Sequence, residues 1–532
     1  MPARPSARRG TGVLVGLLVV TLALPGGCAV GPSQRPAVAT RQVDGGDAPT
    51  SSTPAVPAPP ASPLPPLLPA NPSVRFDDCT ATASQAVGGT AAFGGRDLRL
   101  GCATVPVAGS ETLPSGLVGV LRVTLGPAPP TPTVPVAVLS DPAAGGGGTT
   151  DAVRLAATAP ESLLSGAAFY GVDERGSGAS ESVDCLTPTT RAALDDVDPA
   201  AADPAALTAV RRSATEAART CTQALEDAVT GYRTASAATD LEEVRGALGA
   251  PRLNVVARGS GAQTAAAWSE RFPAGVGRVV LDALPDAAAP ALLRADRSLT
   301  AARGALAAFA TDCLTRPDCP LGPDPAGAVA GIERTLRAAP PAGPDGRRVG
   351  AGTLVAALVD SLGDPPSWRS TASAVAAVGQ GDPAPLLARI EAIEADGTGF
   401  DLTLMTGCND SSERITVDQV APAAARASTA DPVFGSWFAQ RTLACSSWPV
   451  PTAPLAAPTG AGAPSLLLTA AADPRSPAEG TQRVAAQLEG ATLVSWLGAG
   501  HGSFPRTPCI ASAVEGFLVR AAIPRVGTVC PP

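Results

Sequence analysis

Short apolar runs rich in β-branched residues alternate along this chain with longer Ala/Leu/Arg/Glu stretches of helical period. That alternation constrains the fold more than any other feature. The runs include Leu117–Thr124, Val134–Leu139, Ala168–Val172, Leu253–Ala257, Val276–Leu281, Ser465–Thr469 and Thr492–Trp496, each bounded by turn signals. Helical stretches such as Asp203–Ala228 and Asp240–Leu248 lie between them. Neighbouring parallel strands need a long crossover, usually a helix, so the pattern predicts an α/β fold with a mostly parallel sheet. Residues 291–395 break the rhythm with a largely helical, Pro/Gly-punctuated stretch, read as an inserted helical cap.

Composition narrows the function classes. The 532 residues carry 39 Lys+Arg against 47 Asp+Glu, a net charge of −8, and only 3% are aromatic. Such a chain lacks both the basic footprint and the stacking surface of a nucleic-acid binder. There is one histidine, His501, which excludes multi-histidine metal sites, and no metal or cofactor is expected. Any histidine-dependent chemistry must run through that position.

The start of the chain reads as an export address. Arg4, Arg8 and Arg9 precede the apolar run Thr11–Leu24, which is shorter than a membrane span but suits a signal peptide. The run ends in LALPGGC, which resembles a bacterial lipobox with Cys28 as the lipidated residue, although Pro25 departs from the pattern. Residues 1–28 are therefore expected to target the protein to the cell envelope as a membrane-anchored lipoprotein, the alternative being simple secretion. Residues 29–73 are Pro/Ala/Ser/Thr-rich without apolar period and are read as an extended tether. Of 11 cysteines, ten remain beside Cys28. They form the sequence-local couples Cys79/Cys102, Cys185/Cys221, Cys313/Cys319, Cys408/Cys445 and Cys509/Cys530, an even set suited to an oxidising compartment. Spacing leaves their connectivity open; nearest-neighbour pairing is the expectation.

The chemistry gathers where strands end. VDERGSGAS at Val172–Ser180 follows one strand, and LNVVARGSGAQTAAAW at Leu253–Trp268 has the strand–turn–helix setting of a nucleophile elbow. LLLTAAADPRSP then places Asp473 after a strand, and LVSWLGAGHGSF places His501 after the next. The order of elbow, acid and histidine matches an α/β-hydrolase. Several stretches resemble the secreted tripeptidyl-aminopeptidase-like serine hydrolases of actinobacteria, within the proline-iminopeptidase-like peptidases. These are GVDERGSGAS, TDLEEVRGALG, SERFPAGVGRVVLDALPD, AADPRSP, GAGHG and the terminal PRVGTVC. The resemblance covers roughly Cys79 to Cys530. It implies an α/β-hydrolase core at 74–288 and 401–532, the latter a TAP-like C-terminal region, split by a helical cap at 289–400. It also implies that Asp473 orients His501 and that His501 is the general base. Members of the family remove short peptides from free N-termini, and some are esterases.

The departure falls on the nucleophile. An elbow of the form G-x-S-x-G needs small residues two places before and after the apex. Centring on Gly259 puts Ala257 and Gly261 there, whereas centring on Ser260 would put Arg258 in a crowded place. The family register thus sets Gly259 where the serine belongs. Losing the nucleophile alone cost on the order of 10^6 in kcat in a well-studied serine protease. Three readings of Ser260 remain open: a spectator offering its N–H or hydroxyl to the oxyanion site, an apex reached by a one-residue shift, or a neighbour of a water activated by Asp473 and His501. The family's oxyanion loop resembles Pro142–Thr150, which makes Ala144 and Gly145, with Ser260, the oxyanion candidates. Asp173 and Arg175 are expected to brace the loop by ion pairing, and Asp410 is a possible contact of a substrate amine. The leading expectation is an exported, monomeric pseudo-hydrolase that takes a peptide or ester-like small molecule and meets the membrane through its lipid. The alternative is an active aminopeptidase or esterase using Ser260.

Overall fold

In the computed structural model, the described residues are 64–532 apart from 111, 127–132, 143–145, 345, 395–398, 452 and 461–463. The expectations for residues 1–28, for Cys28, for most of the tether, and for Ala144 and Gly145 lie outside them. Ten strands form one sheet: β1 (Asp77–Asp78), β2 (Leu98–Val107), β3 (Gly116–Leu125), β4 (Val134–Leu139), β5 (Ala167–Val172), β6 (Leu253–Arg258), β7 (Val276–Asp282), β8 (Ser465–Ala472), β9 (Thr492–Ala499) and β10 (Thr528–Cys530). Their order is β1-β2-β3-β5-β4-β6-β7-β8-β9-β10. The pairs among β1, β2, β3 and β5 are antiparallel, and every pair from β5–β4 through β9–β10 is parallel. The mostly parallel sheet is the one the alternation predicted, and its strand order is that of the α/β-hydrolase fold expected from the order of elbow, acid and histidine.

Both faces of the sheet are covered. Val136, Val138, Val256 and Val280 turn to one face with Leu155, Val514 and Phe517 from helices Gly148–Thr158 and Pro508–Leu518. Ala137, Leu139, Val255, Ala257 and Leu281 turn to the other, against Leu241, Trp268 and Val484 of helices Thr234–Ala247, Ser260–Arg271 and Ala478–Gln487. Side chains alternate across a strand, so central strands coated on both faces read as unbroken apolar runs, and all of β7 is buried.

The cap is larger than the sequence suggests. Helices continue from Ala291–Leu314 through Trp437–Arg441, and the sheet resumes only at β8, so the helical insertion reaches past residue 400. Its core, around Phe309, Leu354, Val375, Phe434 and Leu443, also takes in Leu207 and Val210 from helix Pro204–Leu225. The cap is therefore built from two insertions, one after β5 and one after β7. The tether is shorter than expected at its end. Within 64–73, Ala70 is buried and its N–H bonds Thr133 O at 2.9 Å, while Ser73 N–H bonds Ala247 O at 2.9 Å.

Five disulfides, Cys79–Cys102, Cys185–Cys221, Cys313–Cys319, Cys408–Cys445 and Cys509–Cys530, follow the nearest-neighbour pairing. They are compatible with an exported protein. Among the described residues, no helix is long and apolar enough to cross a membrane.

Candidate active site

At the carboxyl end of β6 the chain turns through Gly259 into helix Ser260–Arg271. Gly259 has φ 55° and ψ −127°, a backbone state that strains any residue with a Cβ. The turn's tightness comes from close packing two residues on: a Cβ at Gly261 would lie 2.7 Å from the backbone N and O of Ser140. Both marks of an elbow therefore fall in the register with Gly259 at the apex. Ser260 is the first helical residue, and its hydroxyl donates to Asp141 Oδ1 at 3.3 Å rather than to His501. Its N–H, among the first of the helix, has no intrahelical acceptor.

Asp473 and His501 follow β8 and β9 and meet beneath the cap. His501 Nδ1 lies 3.0 Å from Asp473 Oδ2, with the two residues 3% and 0% exposed. The Asp473 carboxylate also accepts the N–H groups of Arg475 and Ser476, each at 2.9 Å, and of Gly502 at 3.3 Å. Burial, the largest single influence, pushes its pKa up. The charge and hydrogen bond of His501, with the backbone N–H groups, more than offset this and hold it below the ordinary value. A carboxylate fixed in this way accepts the Nδ1 proton and leaves Nε2 as the ring's working nitrogen. His501 N–H in turn bonds Gly363 O of the cap at 2.7 Å, locking the loop to the insertion.

What Nε2 faces is the decisive detail. It makes no hydrogen bond, and it points at the space where a side chain on Gly259 would begin: a Cβ there would be 2.9 Å away. The same Cβ would lie 2.8 Å from Asp141 Cβ and 3.0 Å from Asp141 Oδ2. Asp141 Oδ2 sits 3.6 Å from Nε2. Asp141 follows β4 in a Ser-Asp-Pro step that carries no motif in the sequence; its proximity to the elbow exists only after folding. Arg258, next to the apex, pairs with Asp151 Oδ2 at 2.6 Å, and Asp151 also accepts from Ser140 Oγ at 2.8 Å.

Both Asp173 and Arg175 brace the loop after β5, Arg175 through an ion pair and Asp173 through hydrogen bonds. Asp173 accepts from Thr149 N at 2.9 Å, Thr149 Oγ1 at 2.8 Å and Ala179 N at 2.7 Å, tying this loop to the start of helix Gly148–Thr158. Arg175 pairs with Asp240 at 2.5 Å. Behind the elbow, Asp410 accepts from Thr234 Oγ1 at 2.6 Å and Gln263 Nε2 at 3.2 Å, and burial pushes its pKa up to about 6. Glu174, which sequence reasoning did not single out, accepts from Thr264 Oγ1 at 2.6 Å, and burial pushes it up to about 7. A cavity of about 910 Å³ opens beside His501, between the core and cap residues 360–367 and 389.

An elbow, a buried acid and a histidine at the carboxyl ends of β6, β8 and β9 define an α/β-hydrolase-fold protein. Residues 431–530 match the family model described as TAP-like protein. The chain is related to the serine protease Hip1 of Mycobacterium tuberculosis, 27% identical over 56% of this chain and 61% of that protein. The match thus spans less than two thirds of Hip1. A tripeptidyl aminopeptidase of Streptomyces coelicolor is 27% identical over 68% of this chain and 70% of its own length. Carboxylesterase B of Mycobacterium tuberculosis is 28% identical over 81% and 86%, respectively.

Proposed function

We propose that this chain is a hydrolase-fold binding protein that has lost its nucleophile and holds a peptide or small ligand beneath its cap with little or no turnover. The observation that carries the reading is Gly259 at the apex, with His501 Nε2 and Asp141 crowding the place of the missing side chain. Without a hydroxyl there, the base has no nucleophile to activate, while Asp473 and His501 keep the orientation that a serine hydrolase uses. The kinship with a tripeptidyl aminopeptidase, a serine protease and a carboxylesterase supports acyl-bearing ligands as the chemical class. The test is labelling of the purified protein by a fluorophosphonate, beside Ser260→Ala. We expect the wild type to stay unlabelled. Labelling that disappears in Ser260→Ala would overturn the reading in favour of an active peptidase or esterase built on Ser260.

We further propose export and lipid anchoring through Cys28, supported by the basic, apolar and Gly-Gly-Cys start and by the five disulfides. Metabolic incorporation of an alkyne fatty acid in an actinobacterial host is expected for the wild type and lost in Cys28→Ala. Equal incorporation in both would remove the anchor.

A further inference from the structure

The cavity beside His501 is positively charged in a protein whose net charge is −8. Five arginines and three aspartates line it. Three of those arginines are matched by carboxylates: Arg154 and Arg258 pair with Asp151, at 3.8 and 2.6 Å, and Arg475 pairs with Asp360. Arg389 and Arg506 are not. Arg389 donates to the hydroxyls of Ser361 and Ser367, at 2.5 and 2.6 Å. Arg506 donates to the carbonyls of Gly502 at 2.9 Å, Gly363 at 3.1 Å and His501 at 3.3 Å. Both therefore hold the 361–367 turn of the cap through neutral oxygens, and neither forms an ion pair among the described residues. Asp364, on the same turn, attracts both without bonding either.

We propose that this cavity binds a small organic oxyanion, a carboxylate or phosphate on an apolar body, with its charge held by Arg389 and Arg506. The inference rests on the reading that the space under the cap is a ligand site, and it names the ligand's chemistry. A guanidinium presents its remaining N–H groups in a planar fork that matches carboxylate and phosphate oxygens. Burial is the largest influence on both arginines and disfavours their charge, a cost that an incoming anion relieves. Trp496 and Phe504 in the same wall give the apolar body its contact.

Calorimetric titration of the full chain with phenylacetate, phenyl phosphate and benzyl alcohol tests this. At least one anion is expected to bind about tenfold or more tightly than the alcohol, the comparison of the two showing whether carboxylate or phosphate is preferred. Arg389→Gln and Arg506→Gln should each weaken that anion by about tenfold or more, the effect of losing one charge-assisted contact. Arg369→Gln, an exposed arginine of the cap outside the cavity, should leave it unchanged. Equal binding of alcohol and anions, or full anion affinity in both cavity variants, would overturn the proposal. Should the variants unfold, the wild-type comparison still decides. Fluorophosphonate labelling of the wild type would end the pseudo-hydrolase reading and leave this one standing, so the two fail separately.

Discussion

At the scale of single residues, Gly259 and Asp141 belong together. Restoring a serine at 259 places its Cβ within 3.0 Å of three atoms, two of them on Asp141, so the substitution alone does not recreate a working elbow. Gly259→Ser is expected to remain unlabelled by a fluorophosphonate, and Gly259→Ser with Asp141→Gly to gain labelling. Equal labelling of both variants would show that Asp141 gives way freely. Buried carboxyls set the pH response. The Asp473 pKa is depressed, so its contribution is present above the unfolded value near 3.8 and lost as pH falls through the folded one. Asp473→Asn should cost about 3 kcal/mol in denaturant unfolding at pH 7, as breaking a buried pair does, and the difference should shrink at pH 3. Glu174 has the opposite sign. Its folded pKa is raised to about 7 from 4.5, so its ionisation removes stability as pH climbs through that window. Glu174→Gln should raise stability at pH 8 by on the order of 1–2 kcal/mol and do nothing near pH 4. A gain independent of pH would exclude this origin.

At the scale of elements, the disulfides differ in what they constrain. Cys408–Cys445 closes 37 residues of cap and Cys313–Cys319 closes 6. The loop-entropy relation makes the longer one more stabilising by about 1.6 kcal/mol. Paired alanine substitution at Cys408 and Cys445 should therefore lower Tm more than at Cys313 and Cys319; the reverse order would point to effects in the folded state. Strands were legible where short apolar runs stood between turn signals, as in β4, β6, β7 and β8. The ten-residue β2 went unread because Gly101, Cys102 and Pro106 interrupt its apolar pattern, and its place is fixed by pairing along all of β3. Helix Pro204–Leu225 was legible as a helix, with Asp203 capping it, but nothing in its sequence announced that it serves the cap.

At the scale of the molecule, the C-terminal region completes a sheet begun elsewhere. β8 pairs with β7 from Val279↔Ser465 to Asp282↔Leu468, and its Leu466 and Leu468 lie in the same core as Val136 and Val280. A fragment of residues 431–530 is thus expected to show no cooperative thermal transition, since its apolar face would have no partner; a sharp calorimetric melt would refute this. The sequence by itself determined the α/β class and the register that puts Gly259 at the elbow, because periodicity and steric rules act along the chain; cysteine connectivity stayed open until folding brought the neighbouring pairs together. The tertiary structure decided what surrounds the elbow. Asp141 and His501 reach Gly259 from the ends of β4 and β9, and Arg389 and Arg506 reach one cavity from the cap and the β9 loop. Such convergence depends on crossovers between distant segments, and no local pattern encodes it.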